Sequence, residues 1–296
     1  MLRRTVYDRL AALPRRLPPA WRGTLRRLYK SIVPQSFFDL DDAMNWLIAL
    51  RTGGIPFGFP EDMGDGGTRS LAILKHDIHD NLDRAVAMAR AESALGIYGL
   101  YFMMGPHELN RTFYGSARTW EQLRAIQDMG HRIGLHLDPF DAVCREGSLY
   151  DFIGRTIEDF SRERILVRYG NSHGDSKYET AGLRQQDFFA ESMDVVPATN
   201  TSRLTLASEA GRYSLKQLAS QFGIEYWVDS RVFRQGGRLP RTVYVSDNAG
   251  QIRIRSKGPS SRRFEIDPAF VAQSVPILMN ARSLILLHPQ WYASRT

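Results

Sequence analysis

Residues 71–104 form an uninterrupted succession of strand, helix and strand, and this pattern limits the possible folds more than any other feature of the chain. The apolar run 71–77 is bounded by polar residues, and the apolar positions of residues 82–94 recur at helical spacing. A second apolar run, 97–104, follows Gly96 directly. Two strands joined by a helix pair in parallel through a right-handed crossover. The pattern therefore predicts an α/β fold.

The same alternation continues along most of the chain. We predict further helices at residues 39–50, 119–129, 149–162 and 214–222. We predict further strands at residues 133–137, 165–169, 193–198, 226–228 and 284–287. About seven parallel strands result, which fits both an α/β barrel and a doubly wound open sheet. Residues 238–266 differ, because Val243, Val245, Ile252 and Ile254 alternate with polar residues between turn signals. We interpret this segment as a β-hairpin insertion.

The formal net charge of +7 is concentrated at the start of the chain. Residues 1–30 contain nine Lys and Arg side chains against the single acid Asp8, so the rest of the chain is close to neutral. A nucleic-acid groove needs basic residues gathered on one face. The charge distribution therefore argues against nucleic acid as a partner of the main domain.

The chain is predicted to consist of a basic arm, residues 1–35, and a main domain, residues 36–296. Trp21, Leu25 and Ile32 recur at helical spacing among arginines, which is typical of a basic amphipathic helix. Such a helix can contact an anionic membrane surface peripherally through residues 1–33. It can equally pack on its own domain or on a partner subunit. The sequence leaves these alternatives open and does not define the oligomeric state.

The remaining composition favours a cytoplasmic location. The single cysteine, Cys144, cannot form an intramolecular disulfide. No apolar run approaches the roughly 20 residues of a membrane-spanning helix, and the start of the chain lacks the features of a secretory signal. We expect a cytoplasmic protein, with attachment to the inner face of the membrane as the open alternative.

Four histidines fall at or just beyond the carboxyl ends of predicted strands, namely His79, His136, His173 and His288. In parallel α/β folds these ends face the ligand-binding crevice. Asp77 and His79 share one face of their strand, because side chains two residues apart point to the same side. A carboxylate and an imidazole together can bind a divalent metal, or the carboxylate can act as a base beside it. His76 points the other way, and we expect a structural role for it.

The segments that carry these residues resemble a known family. Residues 73–102, ILKHDIHDNLDRAVAMARAESALGIYGLYF, resemble the opening of the polysaccharide deacetylase family (carbohydrate esterase family 4), in its divergent His-Asp-Val-Asp branch. Three later segments resemble family motifs in the same order: residues 130–136 (GHRIGLH), 171–174 (NSHG) and 286–291 (LLHPQW). The resemblance covers residues 38–292. It implies a distorted, incomplete (β/α) barrel and metal-dependent removal of acetyl groups from sugars.

The resemblance also implies roles for individual residues. Asp77 matches the general base, His288 the closing histidine that acts as acid, and His136 the first metal histidine. His79 falls where the family usually has a metal-binding aspartate. Phe140 replaces the usual second metal histidine, so His173 is the candidate for a third ligand. The expected site is therefore His79, His136 and His173, with zinc as the metal that suits neutral imidazoles best.

Three further residues are candidates for sugar binding. Trp291 and Tyr292, just beyond His288, can stack on a sugar ring or belong to the core. Arg168, near the end of its predicted strand, can reach a sugar hydroxyl or carboxylate, or be an ordinary surface arginine. The expected function is removal of an acetyl (N- or O-acyl) group from a sugar or glycan precursor. The alternatives are a metal-free, inactive module that binds a glycan or protein, and hydrolysis of another carbon–nitrogen bond.

Overall fold

A computed structural model describes most of the main domain. The described residues are 38–63, 70–79, 81–107, 110, 113–139, 142, 148–173, 215–228, 242–248, 251–255, 261–264 and 266–293. The predicted arm (1–35), the predicted strand 193–198, Phe140 and Cys144 lie outside them. No helix in these ranges is long and apolar enough to cross a membrane.

Between residues 71 and 227 the described strands and helices alternate as the sequence predicts. In chain order they are β1 (Phe38–Asp39), α1 (Leu40–Thr52), a 3-10 turn (Pro60–Met63), β2 (Leu71–Ile78), α2 (Leu82–Ala94), β3 (Leu100–Met104), α3 (Ala117–Asp128), β4 (Arg132–Leu137), α4 (Leu149–Arg162), β5 (Val167–Ser172), α5 (Leu215–Phe222), β6 (Tyr226–Trp227), β7 (Thr242–Asn248), β8 (Gln251–Arg255), β9 (Ser261–Phe264), α6 (Pro268–Leu278), β10 (Arg282–Leu287), a second 3-10 turn (Pro289–Trp291) and β11 (Tyr292–Ala293).

The main sheet contains seven parallel strands in the order β6-β5-β4-β3-β2-β10-β7. The sheet is curled into a half-barrel, which confirms the α/β class and is consistent with the predicted incomplete barrel. β8 and β9 extend it beyond β7 as antiparallel strands. A separate parallel pair joins β1 to β11.

The segment 238–266 differs from the predicted hairpin insertion. It contains antiparallel pairs, β7 with β8 and β8 with β9. However, β7 also pairs in parallel with β10 and is therefore a member of the main sheet. Alternating apolar residues look the same whether the neighbouring strand is parallel or antiparallel, because the side-chain period is two in both cases.

Short polar side chains begin the helices that pack on this sheet. Asp39, Asn81, Ser116, Ser148 and Asp267 each precede a helix and accept a hydrogen bond from a backbone N–H of its first turn. These contacts satisfy donors that the helix cannot satisfy internally. The predicted cap at Asp39 is thus confirmed.

The two faces of the sheet bury different sets of side chains. Along β2, Ala72 and Leu74 pack toward the helices, whereas Ile73 belongs to a smaller cluster on the concave face. That cluster contains Ile73, Leu100, Phe102, Tyr169, Val228 and Leu284. Near the amino ends of the strands, the Tyr169 hydroxyl donates to Glu61 Oε1 at 2.7 Å, and Met63 packs on the cluster. Apolar side chains therefore fill the concave face away from the carboxyl ends of the strands, and polar residues occupy the carboxyl ends.

Candidate metal centre

The carboxyl ends of four strands bring the predicted histidines together. His79 follows β2, His136 lies near the end of β4, His173 follows β5, and His288 follows β10. The ring centroids of His79 lie 5.1 Å from those of His136 and His173, and 5.3 Å from that of His288. Alternate side chains of a strand point to the same face. His79, His173 and His288 lie an even number of residues after Ile73, Tyr169 and Leu284 of the smaller cluster. His136 pairs with Asn171, which lies two residues after Tyr169. All four histidines therefore lie on the concave face.

Three of these histidines have the geometry of a metal site. One ring nitrogen from each of His79, His136 and His173 lies within 4.8 Å of the other two. The Nε2 atoms of His79 and His136 are 3.1 Å apart. Nitrogen ligands at about 2.0–2.1 Å around a tetrahedral metal are separated by about 3.3 Å. The spacing of His79 and His136 matches this value, and the three side chains together could hold such an ion.

Asn171 determines which nitrogen of His136 faces the centre. Its amide nitrogen donates to Asp77 Oδ1 at 2.8 Å, because an ionised carboxylate only accepts. The amide oxygen then faces His136 Nδ1 at 2.6 Å and accepts its proton. His136 Nε2 then carries a lone pair, which faces His79 Nε2. A polar partner on the far nitrogen is the usual way in which proteins orient a metal-binding histidine.

The other two histidines also have polar partners on Nδ1. His173 Nδ1 lies 3.3 Å from Asp138 Oδ2, and the Gln290 side-chain nitrogen donates to His79 Nδ1 at 3.3 Å. Neutral His79 then carries its proton on Nε2, so this nitrogen is free to bind a metal when the Gln290 amide is turned and its oxygen accepts from Nδ1 instead. Asp138 is buried, and its carboxylate also lies 3.8 Å from His107 Nε2. Each histidine of the centre is thus held by a side chain from a different loop or strand.

Burial keeps two of the three imidazoles neutral. It lowers the pKa of His136 to about 3, although the nearby Asp77 carboxylate opposes the shift. The pKa of His79 also falls well below its usual value, because of burial first and of the neighbouring His136 second. Neutral imidazoles offer the lone pairs that a metal requires.

Asp77 is ionised beside this group. Burial alone would raise its pKa, but the Lys75 ammonium, 3.3 Å from Oδ2, holds the pKa far below its usual range. Asp77 Oδ2 is also 4.0 Å from His136 Nε2. A charged carboxylate therefore adjoins the nitrogens that converge on the centre, which is the position of a general base.

His288 faces the centre from the opposite side. Its backbone N–H and its Nδ1 both bind the Asp247 carboxylate, at 2.6 and 2.5 Å. Burial would lower its pKa, but the Asp247 carboxylate outweighs burial, so the pKa of His288 is raised. An imidazole that keeps its second proton near neutral pH can act as a general acid through Nε2.

The predicted sugar-binding residues have three different environments. Trp291 packs on the His288 ring, with centroids 4.5 Å apart. Tyr292 is only 2% exposed and stacks on Phe38, so it belongs to the core and does not line the site. Arg168 fits the alternative of a surface arginine, because β5 runs to Ser172 and places Arg168 at the opposite end of the strand, paired with Glu225.

Five residues of the site were not identified from the sequence. Asn171 could have been found, because it lies two residues before His173 and therefore on the same face. Lys75 has the same relation to Asp77. Asp138 has this relation to His136. Asp247 and Gln290 lack such a signal, since Gln290 lies in a 3-10 turn and both bind histidines that are distant in sequence.

No protein-family model and no curated protein matches this chain. What the structure provides is an α/β half-barrel with a cluster of three histidines that could hold a metal, at the carboxyl edge of its sheet.

Proposed function

We propose that the protein is a metal-dependent hydrolase that removes an acetyl or related acyl group from a nitrogen or oxygen of a sugar or glycan precursor. The observation that carries this proposal is the convergence of His79, His136 and His173 beside ionised Asp77, with His288 facing them. A bound divalent ion, zinc by ligand preference, would supply Lewis-acid polarisation of the acyl carbonyl and of water.

The side chains divide the proton transfers between them. Asp77 accepts the proton of the attacking water as its oxygen bonds to the acyl carbon. Lys75 keeps Asp77 ionised and ready to accept. His288 then gives its Nε2 proton to the leaving amine or alcohol as the bond to the acyl carbon breaks. Asp247 holds the His288 ring in place and stabilises its charged form.

The sugar is the part of the proposal supported by the sequence resemblance. Trp291, which packs on His288, presents the kind of aromatic surface on which sugar rings stack. The inferred substrate is therefore an acetylated amino sugar or O-acetylated sugar.

The proposal is tested by metal analysis and acetate release on the same preparation. The chelator-stripped chain is reloaded with zinc, its metal content is measured, and acetate release is followed across N- and O-acetylated sugars. We expect one zinc per chain and acetate release that depends on it. His136→Ala should lose the zinc, whereas His131→Gln, at a buried histidine outside the centre, should retain it.

Two results would contradict the proposal. A chain that neither binds zinc nor gains thermal stability from it would favour the metal-free module that binds a glycan or protein. A zinc-loaded chain that releases no acetate from any sugar would retain the metal centre but remove the deacetylase assignment.

A further inference from the structure

A second polar cluster lies on the face of the sheet opposite the metal centre and takes part in no step described above. Its members are His76 on β2, Glu92 on α2, Tyr101 on β3 and His131 before β4, and none of them is exposed to solvent. Buried polar side chains are costly unless they are partnered. Such a cluster therefore needs a structural or functional reason.

His76 connects two parts of this cluster. Its Nδ1 lies 3.3 Å from the Leu287 carbonyl, which only accepts, so Nδ1 donates. Its Nε2 lies 3.0 Å from Glu92 Oε1 without hydrogen-bond alignment, and among the described residues neither atom has another hydrogen-bond partner. The other oxygen of Glu92 accepts from the Tyr101 hydroxyl at 2.8 Å. Glu92 thus lies against Nε2 of the ring while the Leu287 carbonyl binds Nδ1, so the imidazole is held from both sides.

The position of His76 links this cluster to the hydrolytic residues. His76 directly precedes Asp77, and Leu287 directly precedes His288. His76 and Leu287 are also register partners in the parallel pair of β2 and β10. The imidazole therefore joins the two strands immediately below the proposed base and the proposed acid, from the other face of the sheet.

We propose that His76, held by Glu92, is a positioning residue that fixes the separation of Asp77 and His288, a role that rests on the proposed function. Neither His76 nor Glu92 touches the metal centre, so both act through the backbone of the residues that do. A misplacement of about 1 Å in a catalytic group can cost about 100-fold in rate. The expected signature is a change in kcat with little change in KM.

Two isosteric variants separate the contacts of the ring. In His76→Asn, the side-chain nitrogen takes the place of Nδ1 and can still donate to Leu287. In His76→Gln, it takes the place of Nε2 and can contact only Glu92. We expect His76→Gln to lower kcat about 10- to 100-fold, with KM within about twofold of the wild-type value. We expect His76→Asn to retain most of the wild-type kcat. Glu92→Met should also lower kcat, whereas Glu92→Gln should keep kcat close to the wild-type value.

Ser274→Ala is the matched control for a loss of stability alone. It removes the buried hydrogen bond from Trp46 Nε1, 2.9 Å long, between α1 and α6. We expect a lower Tm and an unchanged kcat. Zinc content should stay at the wild-type value in every variant, which excludes an effect through the metal.

The outcomes distinguish this inference from the proposed function. Equal kcat values in wild type and His76→Gln, or a kcat that falls with Tm in Ser274→Ala as well, would overturn the positioning role and leave the hydrolase intact. A zinc-loaded wild type that hydrolyses no acetylated sugar would overturn both.

Discussion

Three buried aspartates lie around the candidate metal centre, and their partners determine which of them could serve as a base. Asp247 uses both oxygens to bind His288, and Asp138 faces His173. Asp77 instead has one oxygen bound by Asn171 and the other directed toward Lys75 and His136. Of the three, Asp77 is thus the carboxylate whose oxygens do not bind the Nδ1 atom of a histidine.

Asp77→Asn should abolish hydrolysis, because an amide cannot accept a proton from water at neutral pH, and general-base catalysis contributes about 10²–10⁴-fold. His288→Ala should slow the reaction less completely, since water can in part replace the acid when the leaving group departs. The measurement is acetate release by each zinc-loaded variant. An Asp77→Asn protein with wild-type activity would remove Asp77 as the base.

Asp77→Asn also leaves the buried Lys75 ammonium without its counter-charge. Removing one partner of a buried ion pair typically destabilises a protein by about 3–5 kcal/mol. The double variant Lys75→Met/Asp77→Asn should recover much of this stability and none of the activity. Urea unfolding of both variants separates the two effects, and recovered activity in the double variant would contradict the assignment.

The burial of His131 predicts that the folding stability depends on pH independently of any metal. Burial lowers its pKa below 6.5 in the folded protein, whereas the unfolded chain keeps the ordinary value. The unfolded state therefore binds more protons below about pH 6.5, and folding stability is lost as the pH falls. The loss is at most about 1.4 kcal/mol per pH unit for one proton.

The comparison that isolates this effect is wild type against His131→Gln, by urea unfolding between pH 7 and pH 5. Glutamine can still donate to the Ala89 carbonyl but does not titrate. We expect the stability difference between the two proteins to shrink toward acid pH. A difference independent of pH would show that His131 does not change protonation on unfolding.

At the scale of elements, the order of strands and helices could be predicted, but the ends of strands could not. β2 and α2 begin at the predicted residues because apolar periodicity marks them. β5 spans Val167–Ser172 instead of the predicted residues 165–169, because its ends depend on pairing with β4 and β6 and not on its own apolar run. That shift is what separates Arg168 from the site.

The candidate site was predictable to a similar extent. A histidine at a strand end can be recognised from one segment, so four of them were found. Asp247 and Gln290 bind histidines that are 41 and 211 residues away in the chain, respectively, and no local pattern signals such contacts.

Gly134 shows how tightly β4 is packed beneath His136. A Cβ at this position would lie 2.5 Å from the Phe102 ring and 3.1 Å from the Tyr169 carbonyl. Gly134→Ala should therefore destabilise the protein by about 1–3 kcal/mol, as overpacking of a core usually does. Thermal or urea unfolding measures the change.

Gly154→Ala on α4 is the matched control. The added Cβ would make one ordinary contact, 3.4 Å from Phe222, and alanine favours a helix over glycine. We expect unchanged or slightly higher stability. Equal destabilisation of both variants would show that the close contact at Gly134 is not the cause.

For the whole molecule, removal of residues 1–33 should leave the main domain folded. The first described element is β1, in which Phe38 pairs with Tyr292 and stacks on its ring. This truncation retains β1 and the Asp39 cap, so a cooperative transition near the full-length Tm is expected. Removal of residues 1–39 should lower the Tm, because it deletes both features. Loss of soluble protein in the shorter truncation would show that the arm completes the core.

The placement of the three histidines on strand ends has a consequence for how the centre would acquire its ion. The parallel ladder fixes the backbone of β2, β4 and β5, and Gln290, Asn171 and Asp138 hold the far nitrogens of the rings. The entropy of ordering these ligands is therefore lost when the chain folds and not when the ion arrives. The backbone amide NMR spectrum of the protein should therefore be nearly the same before and after the metal ion is added.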